Sequence, residues 1–110
     1  MLQASEYYPS FRNKQIPEIS DIWIDEQKRG KGLGTLLITH LEQLARDEVF
    51  EQVGIGVGLY QDYGPAQKLY FRLGYIPNGM GLPYRYLLVT PGKTYPIDDD
   101  LILWLVKPLA

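Results

Sequence analysis

The sequence predicts an α/β domain with a mixed sheet and two helices, and three observations lead there. A β-branched and aromatic run, Ile19 to Ile24, is followed by Leu33 to Ala45, whose apolar residues recur at helical spacing. The same order repeats with a strand-like Val53 to Tyr60 and a helix-like Asp62 to Gly74. Two further strand-like runs close the chain, Tyr84 to Thr90 and Asp100 to Lys107, around a loop that contains Pro91 and Gly92. Alternating strands and helices with extra strands at the end are the pattern of a mixed-sheet α/β fold.

Taken in order, Met1 to Pro17 is rich in Tyr, Pro, Ser and Asn and reads as irregular or weakly extended. Ile19 to Ile24 reads as a strand and Asp25 to Lys31 as a loop. Leu33, Leu36, Leu37, Leu41, Leu44 and Ala45 form one apolar stripe of the first helix, with Glu42, Gln43, Arg46 and Asp47 outside it. His40 falls at the edge of that stripe and reads as a boundary residue. In the next strand Gly54, Gly56 and Gly58 alternate, so all three point the same way while Ile55, Val57 and Leu59 point the other way. Three glycines weaken a strand, so something approaches that face closely: a ligand arm, a docked helix, or simple close packing. Pro65 suits the first turn of the second helix and Gly74 its stop, with Ala66, Leu69, Tyr70 and Leu73 on one face. The segment after Tyr75 is turn-rich. Leu101 to Val106 is unbroken in apolar character and is expected to be buried on both sides.

At 110 residues the chain is one domain, able to bury roughly two-thirds of its unfolded surface. Net charge is −2, so there is no global basic field for nucleic acid. No cysteine is present, which excludes disulfides, thiolate metal sites and a Cys nucleophile, and a single His argues against a His-based metal site. The longest apolar runs are too short to span a bilayer, and Met1 to Glu6 lacks the features of a signal peptide. The expectation is a cytoplasmic protein with no membrane and no nucleic-acid partner.

The most informative stretch is Arg29-Gly30-Lys31-Gly32-Leu33-Gly34-Thr35, between the first strand and the first helix. Glycines at alternate positions leave backbone N–H groups uncovered, and the positive end of a helix stands behind them. Lys28, Arg29 and Lys31 add positive charge. The natural occupant is a phosphate or pyrophosphate. A nucleotide P-loop requires Ser or Thr after a Gly-Lys pair, but Lys31 is followed by Gly32. A dinucleotide fingerprint read from Gly30 requires a third glycine where Thr35 stands. The pattern present is R-x-x-G-x-G, as Arg29, Gly32 and Gly34.

This pattern resembles the pyrophosphate loop of the GNAT superfamily of N-acetyltransferases. The run Ala66 to Tyr75 is similar to a second signature of that family, with Leu69-Tyr70 and Gly74-Tyr75 in place, and the elements between match in order and spacing. The strong resemblance covers Glu18 to Tyr75. It implies a mostly antiparallel mixed sheet, a single N-terminally abbreviated domain over residues 1–110, and acetyl-CoA as co-substrate without a metal. It also implies that the backbone of Trp23 and Ile24 binds the pantetheine arm, while Arg29, Gly30, Lys31, Gly32, Leu33, Gly34 and Thr35 wrap the pyrophosphate. The family often has an Asn where this chain has Tyr63.

The reaction implied is direct transfer of an acetyl group from a thioester to a primary amine of a small molecule or peptide. An amine must lose its proton to attack, and the leaving thiolate benefits from an acid. Tyr70 matches the family tyrosine near the coenzyme sulfur and is the candidate acid. Glu18 and Asp21 flank the first strand, three positions apart and so on opposite faces, and Glu18 is the favoured base. Asp98-Asp99-Asp100 reads as a solvated loop, with a cationic acceptor as its other use. The glycine face of Gly54 to Gly58 offers room for the acyl end or the acceptor. Two other functions remain open: a non-catalytic acetyl-CoA-binding module and an interaction domain with a vestigial loop. Finally, an exposed strand edge at Ile19 to Ile24 predicts a homodimer formed by strand pairing or strand exchange.

Overall fold

A computed structural model of the chain describes residues 1–20, 22 and 32–109. Its main sheet has five strands: β1 (Leu2–Ala4), β2 (Pro17–Ile19), β3 (Gln52–Gly58), β4 (Ile76–Pro77) and β7 (Ile102–Pro108), in the order β1-β2-β3-β7-β4. The pair β2–β3 is parallel and the other three pairs are antiparallel. A separate hairpin joins β5 (Pro83–Tyr84) to β6 (Leu87–Leu88), and Tyr84 bridges to Leu101 at the start of β7. The helices are α1 (Pro9–Arg12), α2 (Leu33–Asp47) and α3 (Gly64–Arg72), the last preceded by a 3-10 turn, Gln61–Tyr63. The α/β class and the mixed, mostly antiparallel sheet are as the sequence predicts.

The sheet has a core on each face. On the helix side, Ile19, Val53, Ile55, Val57 and Leu105 pack against Ile38, Leu41 and Ala45 of α2 and against Tyr70 and Tyr75. On the other face Tyr8, Phe11, Ile16 and Trp104 form a second, aromatic cluster. Tyr8 stacks on Trp104 with ring centroids 4.8 Å apart, and Phe11 meets both rings edge-on.

That aromatic cluster explains the glycines of β3. A Cβ at Gly54 would fall inside the Phe11 ring, one at Gly56 would lie 2.8 Å from Ile102 Cγ2, and one at Gly58 would strike the Tyr63 ring. The three glycine positions therefore hold the chain's own side chains, with α1 docked over Gly54, and leave no room directly over β3 for an acyl group or an acceptor.

The N-terminal segment carries a short strand, in keeping with the weakly extended alternative, and the helix α1. β1 pairs with β2 through Leu2–Ile19, Gln3–Glu18 and Ala4–Pro17, and the Met1 amino group donates to the Ser20 carbonyl at 2.8 Å. The first predicted strand is displaced: it starts at Pro17 and ends at Ile19, while Ile22 is half-buried outside any strand. Asp21, Trp23 and Ile24 lie outside the described residues. Because β1 covers the outer side of β2, the edge invoked for dimer formation is already paired at Ile19. The outer strands of the sheet are β1 and β4.

The apolar stripe of α2 also lies elsewhere than expected. Gly34, Ile38, Leu41, Glu42 and Ala45 are buried, whereas Leu36 is 66% exposed and Leu33 and Leu44 are exposed too. Glu42 turns inward because it has partners there. Its carboxylate accepts from the Tyr75 hydroxyl at 2.8 Å and from Lys107 Nζ at 3.1 Å. Both partners are far away in sequence, so the local pattern could not show them. α3 follows expectation: Pro65 stands in its first turn, Tyr70 faces the core and Gly74 ends the helix at φ +96°.

Candidate active site

β2 and β3 pair in parallel only through Glu18–Gly54 and Ile19–Ile55. β3 continues to Gly58, held on its other side by β7 through Gly58–Ile102. Among the described residues, Gly56 to Gly58 thus have no β2 partner, and the sheet opens at this point. Both α2 and α3 begin at the same end of the sheet, since α2 returns the chain from the end of β2 and α3 follows β3. A crevice at the carboxyl ends of parallel strands, facing helix N-termini, is the usual ligand position in an α/β sheet.

Gly32 caps α2 in the left-handed conformation, φ 77°, and no side chain caps this helix. No acidic residue stands in its first turn, and among the described residues nothing lies within 4 Å of where a Gly32 Cβ would be. Gly34 is buried in that turn and Thr35 half-buried. The first-turn N–H groups of this 15-residue helix therefore meet no acidic side chain of their own turn. Trp23, Ile24, Arg29, Gly30 and Lys31, the remainder of the predicted coenzyme loop, lie outside the described residues.

Tyr70 sits in the helix-side core, 8% exposed, with its ring 6.3 Å from that of Tyr75. Among the described residues its hydroxyl has no hydrogen-bond partner. Burial raises its pKa above the ordinary tyrosine value, so the hydroxyl keeps its proton at neutral pH. Glu18, in register with Gly54, belongs to the opposite face, which carries Phe11 and Trp104. The structure therefore does not bring the two predicted catalytic residues into contact. They flank the opening from opposite faces of the sheet.

Tyr63, Gln67 and Tyr70 recur at i, i+4 and i+7, which puts them on one side of α3. Gln67 Nε2 donates to the Gly58 carbonyl at 2.8 Å, tying this helix to the end of β3. The sequence reading missed Gln67, although that spacing could have found it. Tyr63 donates to Asp99 Oδ1 at 2.8 Å, as does Tyr60, and these hydrogen bonds hold the Asp99 carboxyl below the usual range. Asp98 accepts from the Tyr84 hydroxyl at 2.8 Å and Asp100 pairs with Arg85 at 3.2 Å. The Asp98–Asp100 loop is accordingly engaged by the chain's own groups and is not simply a solvated run. Ser20, where β2 ends, has a buried hydroxyl oxygen with no hydrogen-bond partner among the described residues.

A cavity of about 540 Å³ lies at the far end of the molecule, lined by Leu2, Ala4, Phe11, Ile16, Pro17 and Phe50 among others. It adjoins the C-terminal end of α2, about 22 Å along that helix from Gly32. Its apolar lining is unlike an anion site, so it is not the coenzyme crevice. Among the described residues no cluster of His, Cys, Asp and Glu could hold a metal ion, and no helix is long and apolar enough to cross a membrane.

The fold has a counterpart in a known protein. A crystal structure from Klebsiella pneumoniae subsp. pneumoniae MGH 78578, of a protein described as an acyl-CoA N-acyltransferase, superposes with a TM-score of 0.62 at 28% identity. The match covers 89% of this chain and 58% of that one, so this chain spans little more than half the length of its structural relative. No protein of curated function matches it significantly. The family model of the acetyltransferase (GNAT) family matches residues 1–75, from β1 through α3. That span contains the β2–β3 opening, the glycine-capped start of α2 and the Tyr70 helix, and on this match the chain belongs to the acetyltransferase (GNAT) family.

Proposed function

We propose that the protein transfers the acetyl group of acetyl-CoA to a primary amine by direct attack within a ternary complex. The observation that carries this reading is the opening beyond Ile55, flanked by an α2 N-terminus with a left-handed glycine cap and no acidic residue. A pyrophosphate placed there meets backbone donors and the positive helix end at once. Arg29, Gly30, Lys31, Gly32, Leu33, Gly34 and Thr35 wrap it in this reading, and Trp23 and Ile24 carry the pantetheine arm.

The chemistry divides between the two sheet faces. A protonated amine gives its proton to the Glu18 carboxylate, and its lone pair forms the new C–N bond at the thioester carbonyl. The C–S bond then breaks, the thiolate takes the proton of the Tyr70 hydroxyl, and the second proton that the attacking nitrogen must shed passes through water, which reprotonates Tyr70. Both groups can serve one reacting carbon because β2 and β3 separate between them. The acceptor approaches from the Glu18 face and the thioester from the helix face. A homodimer through the free outer edge of β1 is part of the proposal, since the edge of β2 is already paired.

Calorimetric titration with acetyl-CoA tests the coenzyme part. The expected result is saturable binding that inorganic pyrophosphate weakens by competition. Absence of heat and of any thermal shift at millimolar acetyl-CoA would overturn it.

A further inference from the structure

The face that carries Glu18 has an aromatic wall that no step above uses. Register places Glu18 beside Gly54, with Val106 across from it, and Trp104 across from Gly56 on the same side of the sheet. Tyr86 lies over Trp104 at a centroid distance of 6.2 Å, and Tyr7 lies beside Tyr86 at 5.7 Å. Trp104 is buried beneath them, but Tyr7 is 69% exposed and Tyr86 is 40% exposed. Two large rings are thus presented to solvent on a rigid aromatic base, next to a carboxylate.

The backbone goes out of its way to hold them. Arg85 and Tyr86 form the turn between β5 and β6 with φ of 48° and 70°, a conformation that hairpin turns ordinarily assign to Asn and Gly. The Arg85 backbone N–H donates to the Asp100 carbonyl at 3.0 Å and its side chain pairs with the Asp100 carboxylate, fixing the turn against the start of β7. Burial, and after it the Glu18 charge, raises the pKa of the Tyr86 hydroxyl, which agrees with Glu18 and Tyr86 lying near each other on this face. Exposed tyrosine faces beside a carboxylate attract an ammonium through the ring quadrupole and the charge together.

We infer that Tyr7, Tyr86 and Glu18 form the acceptor site, and that it takes a cationic amine on an apolar stem with no carboxylate beside the amino group. This inference rests on the proposed acetyl transfer only for its role; the site itself binds the amine with or without turnover. The ring faces hold the stem and the ammonium, and Glu18 receives its charge. An α-amino acid is disfavoured because its carboxylate would face the Glu18 carboxylate at short range.

Phenethylamine and phenylalanine, which differ by that carboxylate, are the probes. The protein is titrated with each while the tyrosine ring resonances are followed by NMR, in the absence of coenzyme. Phenethylamine is expected to shift the Tyr7 and Tyr86 signals, and phenylalanine to shift neither. Tyr86→Ala is expected to weaken phenethylamine binding about two- to fivefold, as loss of an exposed cation–ring contact implies, while Tyr86→Phe retains it. Acetyl-CoA affinity, measured on the same variants, should stay unchanged and serves as the check on folding. Equal shifts from both probes, no shifts, or undiminished binding by Tyr86→Ala would each overturn the inference. Because acetyl-CoA binding is read separately, its failure would count against the proposed reaction and not against this site.

Discussion

Tyr70 and Glu18 stand on opposite faces of one sheet, on either side of the point where β2 and β3 stop pairing. Tyr70 packs with Ile19 and Ile55, and Glu18 aligns with Gly54 under the aromatic cluster. In this arrangement the two side chains do not meet. In the proposed reaction each reaches the reacting carbon only when a substrate occupies the opening.

Tyr70→Phe should consequently lower kcat about 10²-fold, the range of a general acid, while acetyl-CoA affinity changes little. The variant should fold, because the hydroxyl has no hydrogen bond to lose among the described residues. Raised by burial, the wild-type Tyr70 hydroxyl remains protonated up to at least about pH 10, so its ionisation should cause no fall in rate between neutral pH and that point. Steady-state kinetics across pH check both statements.

Gly32→Ala separates ligand approach from folding. Among the described residues no atom lies within 4 Å of the added Cβ, so the cost expected for the free protein is that of the left-handed backbone, about 1 kcal/mol. Calorimetry should show a loss of acetyl-CoA affinity larger than that. A loss no greater than the change in stability would place the coenzyme elsewhere.

Gly54→Ala should lower stability by about 1–3 kcal/mol, because the new methyl displaces the Phe11 ring. The double substitution with Phe11→Leu should recover part of it. Denaturant unfolding of the three variants reads this directly.

Glu42→Ala should cost about 3 kcal/mol, since it strands the buried Tyr75 hydroxyl and the Lys107 ammonium in one step. Denaturant unfolding again provides the measurement, and the helix-side core should report the change before the aromatic cluster does.

The tyrosine clamp on Asp99 carries its own pH signature. Its carboxyl is held below the ordinary carboxylate pKa of about 3.9, so the clamp contributes fully above that value and is lost as pH falls through the lower, folded one. Ring resonances of Tyr60 and Tyr63 should therefore stay constant from neutral pH down to about pH 4 and move only below it.

What the sequence disclosed follows from how locally each feature is encoded. Pro65 and Gly74 mark the ends of α3 through their own backbone preferences, and the run from Leu101 onward marks β7 through its unbroken apolar character. Gly32 and Gly34 advertise the α2 N-terminus in the same local way. Glu42 was misplaced because Tyr75 and Lys107, which draw it inward, come from elements formed much later in the chain. β1 was overlooked because Leu2–Ala4 is weak in strand formers and exists through its pairing with β2. The Gly54 to Gly58 face was ambiguous for a related reason: alternating glycines report that something is close without saying whether it is Phe11 or a ligand. Tyr86 gave no local signal, since its position depends on a turn whose φ values its sequence does not favour.

The most direct test of the account is a turnover assay with the native chain, acetyl-CoA and phenethylamine, following release of free CoA thiol and acetylated amine together. The account predicts equimolar formation of both, abolished or strongly reduced by Tyr70→Phe and by Glu18→Gln. Saturable acetyl-CoA binding without either product, across amines of this class and at pH values where the amine is partly neutral, would contradict it.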